Sequence, residues 1–200
     1  MKKLIIVGLV TIVSLSSFAQ EINLPPANRT GGKPLMDALN ERQSAREFSD
    51  KELSMQTLSD LLWAAWGFNR EDRRTAPSSA NRQEIDLYVT LNNGIYFYDA
   101  KNQKLIMKVP GNHQAKTGTQ PFVGSAPLNI LIVANLDRAS SRDAALMDSG
   151  FISQNIYLYC ASEGLNNVVR GLFNKSELHS LLGLSENQEV ILTHSVGYKP

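Results

Sequence analysis

The sequence predicts an α+β domain with a mixed, mainly antiparallel sheet flanked by helices. Three observations carry this prediction. Residues 85–109 hold three short apolar segments separated by turn residues, the pattern of an antiparallel meander. Leu128–Ala134 (LNILIVA) is a nearly continuous apolar run of strand length, as expected of a strand covered on both faces. Around them stand segments with a 3.6-residue apolar period and capping residues at their ends, which read as helices. A length of 200 residues suits one such domain and needs no disulfide or metal to hold it together. With 13 Gly, 8 Pro and 1 Cys, the composition excludes collagen-like, disordered and disulfide-scaffold classes. A net charge of +1 leaves no broad electrostatic footprint for nucleic acid or an acidic membrane.

In chain order, Lys2 and Lys3 precede the apolar run Leu4–Val13 and then Ser17-Phe18-Ala19. Charged, apolar and small residues in that order make residues 1–19 a secretory signal peptide, cut after Ala19. An uncleaved anchor is the alternative, although the run is short for a membrane span. The protein is therefore expected to be exported, periplasmic or secreted. Pro25, Pro26, Gly31 and Gly32 make residues 20–33 an extended N-terminal arm, and residues 34–200 form the domain. Pro34 suits the first turn of a helix with Leu35, Met36 and Leu39 on one side. Ser54 caps a second helix with Leu58, Leu61, Leu62, Ala65 and Trp66 on one face and Gly67 at its end. Asn69–Thr75 reads as a polar loop. Strands follow at Ile85–Leu91, Ile95–Asp99 and Leu105–Val109, the first pair joined by Asn93-Gly94. Residues 110–127 form a long loop with one helical turn before the Leu128–Ala134 strand. A long helix spans Arg142–Glu163 and stops at Gly164. Asn174 and Glu177 make a capping box for Lys175–Leu182, closed by Gly183. Glu189–Val196 is the final strand.

Familiar catalytic constellations are missing. His113, His179 and His194 have no metal-ligand spacing, so each reads as a surface or hydrogen-bonded histidine, and no metal site is expected. The sequence has no GxSxG elbow, no GxGxxG and no P-loop. Cys160 lacks a partner and reads as a core cysteine in the long helix. What remains is ERQSAREF, in which Arg42, Ser44 and Arg46 alternate. In an extended segment they project to one side, so two guanidinium groups and a hydroxyl can converge on an anion; a solvated charge cluster is the alternative.

ERQSAREF followed by LSDLLWAAWG resembles the opening of the nitroreductase-like FMN-dependent oxidoreductase family. PSSANRQ at Pro77–Gln83 is similar to that family's PSSxNxQ signature, and TGTQPFVGSAPLNILIVA at Thr117–Ala134 to the stretch forming its central strand. The latter is closest to the peptide-azoline-oxidase-like branch. DSGFISQNIYLYCASEGL at Asp148–Leu165 resembles its GxxxQNxxLxAxxxGL helix, and HSVGY its closing strand. The five segments occur in family order.

The resemblance implies a nitroreductase-like fold, an intertwined homodimer and FMN as cofactor. Arg42 and Ser44 would hold the phosphate and ribityl chain, and Arg46 would reach the pyrimidine edge of the ring. Asn81 would hydrogen-bond the ring edge, with Ser78, Ser79 and Gln83 shaping its loop. In VVRGLF, Arg170 falls near the ring, and Gly171 with Leu172 is the segment whose backbone faces it. Lys199 substitutes for the basic phosphate ligand that family members carry beyond the last strand. Where the family often has Pro-Trp after its signature, this chain has Glu84-Ile85. The flavin carries the chemistry, so no catalytic side chain is required. The function implied is two-electron reduction or oxidation of a small organic substrate, such as a nitroaromatic or quinone. Trp66, Phe68 and Phe122 stand either in the substrate wall or in the core. Export sets the protein apart from cytoplasmic nicotinamide pools, so the electron donor is left open. A non-catalytic flavin- or small-molecule-binding protein and a structural dimer partner are the alternatives.

Overall fold

A seven-stranded sheet forms the centre of the computed structural model, which describes residues 20–200. The expected signal segment lies outside the described residues. In chain order the elements are β1 (Glu21–Asn23), α1 (Leu35–Glu41), α2 (Met55–Trp66), β2 (Phe68–Arg70), β3 (Arg73–Arg74), β4 (Ile85–Leu91), β5 (Gly94–Asp99), β6 (Lys104–Pro110), β7 (Leu128–Asn135), α3 (Arg142–Glu163), β8 (Leu165–Arg170), α4 (Lys175–Leu182) and β9 (Gln188–Tyr198). The strand order is β1-β6-β5-β4-β7-β9-β8, and every pairing is antiparallel. β2 and β3 form a separate small hairpin.

Central β7 shows why its sequence is apolar throughout. In its register with β4, Val89 faces Ile130 and Tyr88 faces Leu131. Successive side chains point to opposite faces. Ile130, Ile132 and Ala134 enter the larger core beneath α2 and α3, whereas Leu131 and Val133 enter a second core beneath α4. Moving each aliphatic side chain from water into these cores contributes roughly 1.5–3 kcal/mol.

Helix boundaries follow local chemistry. Ser54 Oγ accepts the Thr57 N–H at 3.0 Å to start α2, and Leu58, Leu61, Leu62, Ala65 and Trp66 are buried. Ser141 and Asn174 cap α3 and α4 in the same way, and Gly164 and Gly183 end them in the left-handed conformation.

Four expectations need correction. On α1 only Ala38 is buried, so Leu35, Met36 and Leu39 point outward, because this seven-residue helix packs on α3 through its smallest apolar side chain. The polar segment 69–75 is a hairpin rather than a loop. Arg74 lies across the Phe68 and Trp66 rings and donates to the Trp66 carbonyl at 2.8 Å. The single turn expected in 110–127 is two short 3-10 turns, Gln114–Thr117 and Pro121–Val123. β1 and β8 had no counterpart in the prediction: Glu21–Asn23 adds to β6, and Leu165–Arg170 pairs along β9.

Candidate functional site

The segment after α1 runs extended along the outer strands. Ala45 N–H donates to the Asn167 carbonyl at 2.9 Å, Asn166 Nδ2 to the Glu47 carbonyl at 2.7 Å, and Ser49 N–H to the Tyr198 carbonyl at 3.0 Å. These contacts hold the backbone in the alternating geometry the sequence requires. Ser44 and Arg46 are exposed and Arg42 is half-buried. The Arg42 guanidinium lies 5.1 Å from the centre of the Tyr157 ring, and Ser44 Oγ is 2.6 Å from the Tyr157 hydroxyl. Among the described residues, neither arginine has a carboxylate in ion-pair range. Lys199, also exposed, lines a recess of about 20 Å³ with Gln43, Tyr157 and Asn167, which places it beside this row.

A second group forms at the other end of α3. Ala80, Asn81 and Gln83 have φ of 49°, 54° and 51°, a left-handed backbone that costs an L-residue about 1–2 kcal/mol each. Ser79 N–H donates to Asp148 Oδ2 at 2.8 Å and Gln83 N–H to Ser78 Oγ at 3.0 Å. The Asn81 and Gln83 side-chain amides both donate to the Asp72 carbonyl, and Arg74 Nε donates to Gln83 Oε1. This loop is thus locked onto the β2–β3 hairpin, and Asn81 is engaged inside its own chain. Asp148 and Tyr157 are nine residues apart on α3, about 14 Å along its axis.

Directly after the loop, Glu84 is fully buried, with its carboxyl group against that of Asp148. Burial, with the Asp148 carboxylate beside it, pushes its pKa up to about 7.

Arg170 does not face an open site. It is 4% exposed and donates to the Thr117 carbonyl at 2.8 Å and to Asn129 Oδ1 at 2.9 Å, pinning the 114–117 turn to β7. Burial lowers its pKa to about 10. Gly171 and Leu172 are exposed beyond it, and space around Gly171 is open. His194 corrects another expectation. It is fully buried with both ring nitrogens unpaired, and desolvation, then Arg170, pushes its pKa down to about 3. Its ring meets the Tyr157 ring edge-on, 5.6 Å between centres. Of the aromatic candidates, Trp66 is a core residue donating to the Ile85 carbonyl, and Phe68 lies under Arg74. Phe122 is half-buried against Phe48. Cys160 is buried in the core, which pushes its thiol pKa up.

A cavity of about 570 Å³ opens between the arm and the helices, lined by Arg29, Lys33, Asp60, Trp63 and Glu163 among others. It contains none of the anion-binding candidates. Asp60 there is already engaged by the Asn28 N–H and side chain, so the Arg42–Arg46 row is the better candidate site.

The chain matches the model of a known family, the nitroreductase family, over residues 39–198. The chain belongs to the nitroreductase family. A nitroreductase-like protein of Methanocaldococcus jannaschii is 29% identical over 183 residues, covering 83% of this chain and 91% of the relative. The structure of a nitroreductase-like protein from Ralstonia eutropha superimposes with a TM-score of 0.85 at 39% identity, covering 98% of this chain and 97% of the other. An FMN-dependent nitroreductase from Clostridium difficile shares the fold at a TM-score of 0.59 and 20% identity, covering 82% and 87% of the two chains. Family membership makes this an oxidoreductase-type domain.

Tyr157 was missed as a site residue. Its signal was its place in QNIYLY, two turns before the helix-ending Gly164, but only the fold brings it against Arg42 and Ser44.

Proposed function

We propose that this protein is an exported, homodimeric FMN-dependent oxidoreductase that moves two electrons to or from a small organic substrate. The observation carrying this reading is the row Arg42, Ser44 and Arg46. Two guanidinium groups without carboxylate partners among the described residues and an exposed hydroxyl are held in line by an ordered extended backbone, and this donor set fits a phosphate ester. Arg42 and Ser44 would hold the phosphate and ribityl end. Arg46 would place positive charge at the pyrimidine edge, favouring the electron-rich ring. Lys199 adds a cation beside the phosphate end. Bound FMN supplies the two-electron chemistry. Gly171 and Leu172 offer exposed backbone for close approach to the ring, and Ser78, Ser79, Asn81 and Gln83 a rigid loop at its edge.

A homodimer is supported by the outer face of the helices. Leu35, Met36 and Leu39 on α1 and Met147 and Phe151 on α3 are between 44% and 72% exposed, and α1 packs on α3. Exposed apolar side chains of this size on helix surfaces suit an interface. A second copy seated there covers the helix whose two ends carry the site residues.

Absorbance of the purified protein titrated with FMN, then with dithionite and air, tests the cofactor. Stoichiometric binding with bleaching and recovery is expected, and no binding at high FMN overturns the reading. A non-catalytic flavin-binding role is the second reading. It is favoured by the inward turn of Arg170 and the engaged Asn81 amide. Steady-state turnover with a nitroaromatic or quinone acceptor separates the two.

A further inference from the structure

We infer that Tyr157 is a positioning residue that sets both the Arg42 guanidinium and the Ser44 hydroxyl for an anionic ligand; this rests on the FMN reading above. The geometry assigns the hydrogens. Tyr157 is buried, and its hydroxyl oxygen accepts the Val169 N–H at 3.1 Å. Among the described residues, its only other hydroxyl contact is Ser44 Oγ at 2.6 Å. If Ser44 donated to Tyr157, the phenolic hydrogen would be buried without an acceptor, at a cost of about 1–3 kcal/mol. Tyr157 therefore donates to Ser44. The Ser44 hydroxyl hydrogen is turned away from the helix, and Ser44 is exposed, so that hydrogen is free for an outside acceptor.

The same phenol ring carries Arg42 on its face, 5.1 Å from the ring centre. One side chain on α3 thus holds two residues of an otherwise exposed segment, one by its face and one by its hydroxyl. The Tyr157 hydroxyl is fixed in turn by the β8 backbone at Val169, and its ring is backed by His194, neutral because it is buried. A rotamer-rich arginine and a freely rotating hydroxyl would otherwise lose entropy on ordering around a ligand, and the clamp removes part of that cost before binding.

The test is a double-mutant cycle read by quenching of flavin fluorescence, using FMN as the probe. Tyr157→Phe keeps the ring under Arg42 and removes only the hydroxyl; Ser44→Ala removes the oriented donor. Each is expected to raise the FMN Kd about tenfold, and the double variant no further, because both remove one device. Tyr157→Leu is expected to weaken binding more than Phe by also removing the platform for Arg42. Thermal unfolding of each variant shows whether it folds. A Tyr157→Phe protein that is folded and binds FMN like wild type, or Phe and Ala effects that add to about a hundredfold, overturns the positioning role alone. Wild-type protein that binds no FMN overturns the function reading and this role with it.

Discussion

The backbone N–H of Ser79 donates to Asp148 Oδ2 at 2.8 Å, fastening a loop with three left-handed non-glycine residues to the buried side of α3. Backbone in that region persists only where its surroundings over-determine it. Asp148→Ala leaves the Ser79 N–H without its acceptor and is expected to cost about 1–3 kcal/mol. Urea denaturation measures this, and a midpoint equal to wild type would show that the loop is held by the Asp72 and Gln83 contacts alone.

Glu84 has a folded pKa of about 7 against an ordinary value of 4.5, so the native state binds more protons than the unfolded chain between those values. Stability therefore falls as pH rises from about 4.5 to about 7 and levels off above. Glu84→Gln removes this dependence. Denaturant midpoints at pH 5 and pH 8 should converge in the variant, and a gap as wide as in wild type would assign the dependence to another group.

His194 acts with the opposite sign. Its folded pKa of about 3 lies below its ordinary 6.5, so the unfolded state binds more protons between the two. Stability is lost as pH falls from about 6.5 toward 3. His194→Gln should reduce the steepness of acid unfolding followed by circular dichroism, and an unchanged acid limb would sink the assignment.

A Cβ at Gly118 would sit 1.9 Å from Arg170 Nη1, inside the guanidinium that binds the Thr117 carbonyl. Backbone conformation is no obstacle, since Gly118 is extended. Overpacking here is expected to cost about 1–3 kcal/mol, because Arg170 must leave its buried partners. Calorimetry of Gly118→Ala reads the shift, and an unaltered Tm would mean that the arginine has a second place to go.

Phe151, 48% exposed on α3, supplies a large aromatic to the face assigned to the homodimer. Phe151→Glu places a charge there and should shift the protein to monomer in size-exclusion chromatography with light scattering. A variant that remains dimeric would place the interface elsewhere.

Local structure was legible because it is decided by neighbouring residues. Ser54, Asn174, Gly164 and Gly183 cap helices through short-range bonds and left-handed glycines, and the apolar segment of β4 and the apolar run of β7 match a sheet buried on both faces. β8 escaped notice because Asn166 and Asn167 interrupt its apolar character; both are buried, and Asn166 bonds to the Glu47 backbone 119 residues away in the chain. The alternation of Arg42, Ser44 and Arg46 was also visible, since an extended segment has period two whatever surrounds it. Where those side chains rest was not. Tyr157 reaches Ser44 only because α3 packs beside the segment running along β8. Arg170 turns inward only because Thr117 and Asn129 arrive from other elements to accept its hydrogens. The sequence by itself determined the helices with their caps, the central strands and the family; the tertiary structure decided the edge strands β1 and β8, which polar groups are buried, which are engaged and which are left for a ligand. The physical reason is that capping and periodicity act within a few residues, whereas desolvation and hydrogen-bond satisfaction depend on whatever the fold brings within about 3 Å.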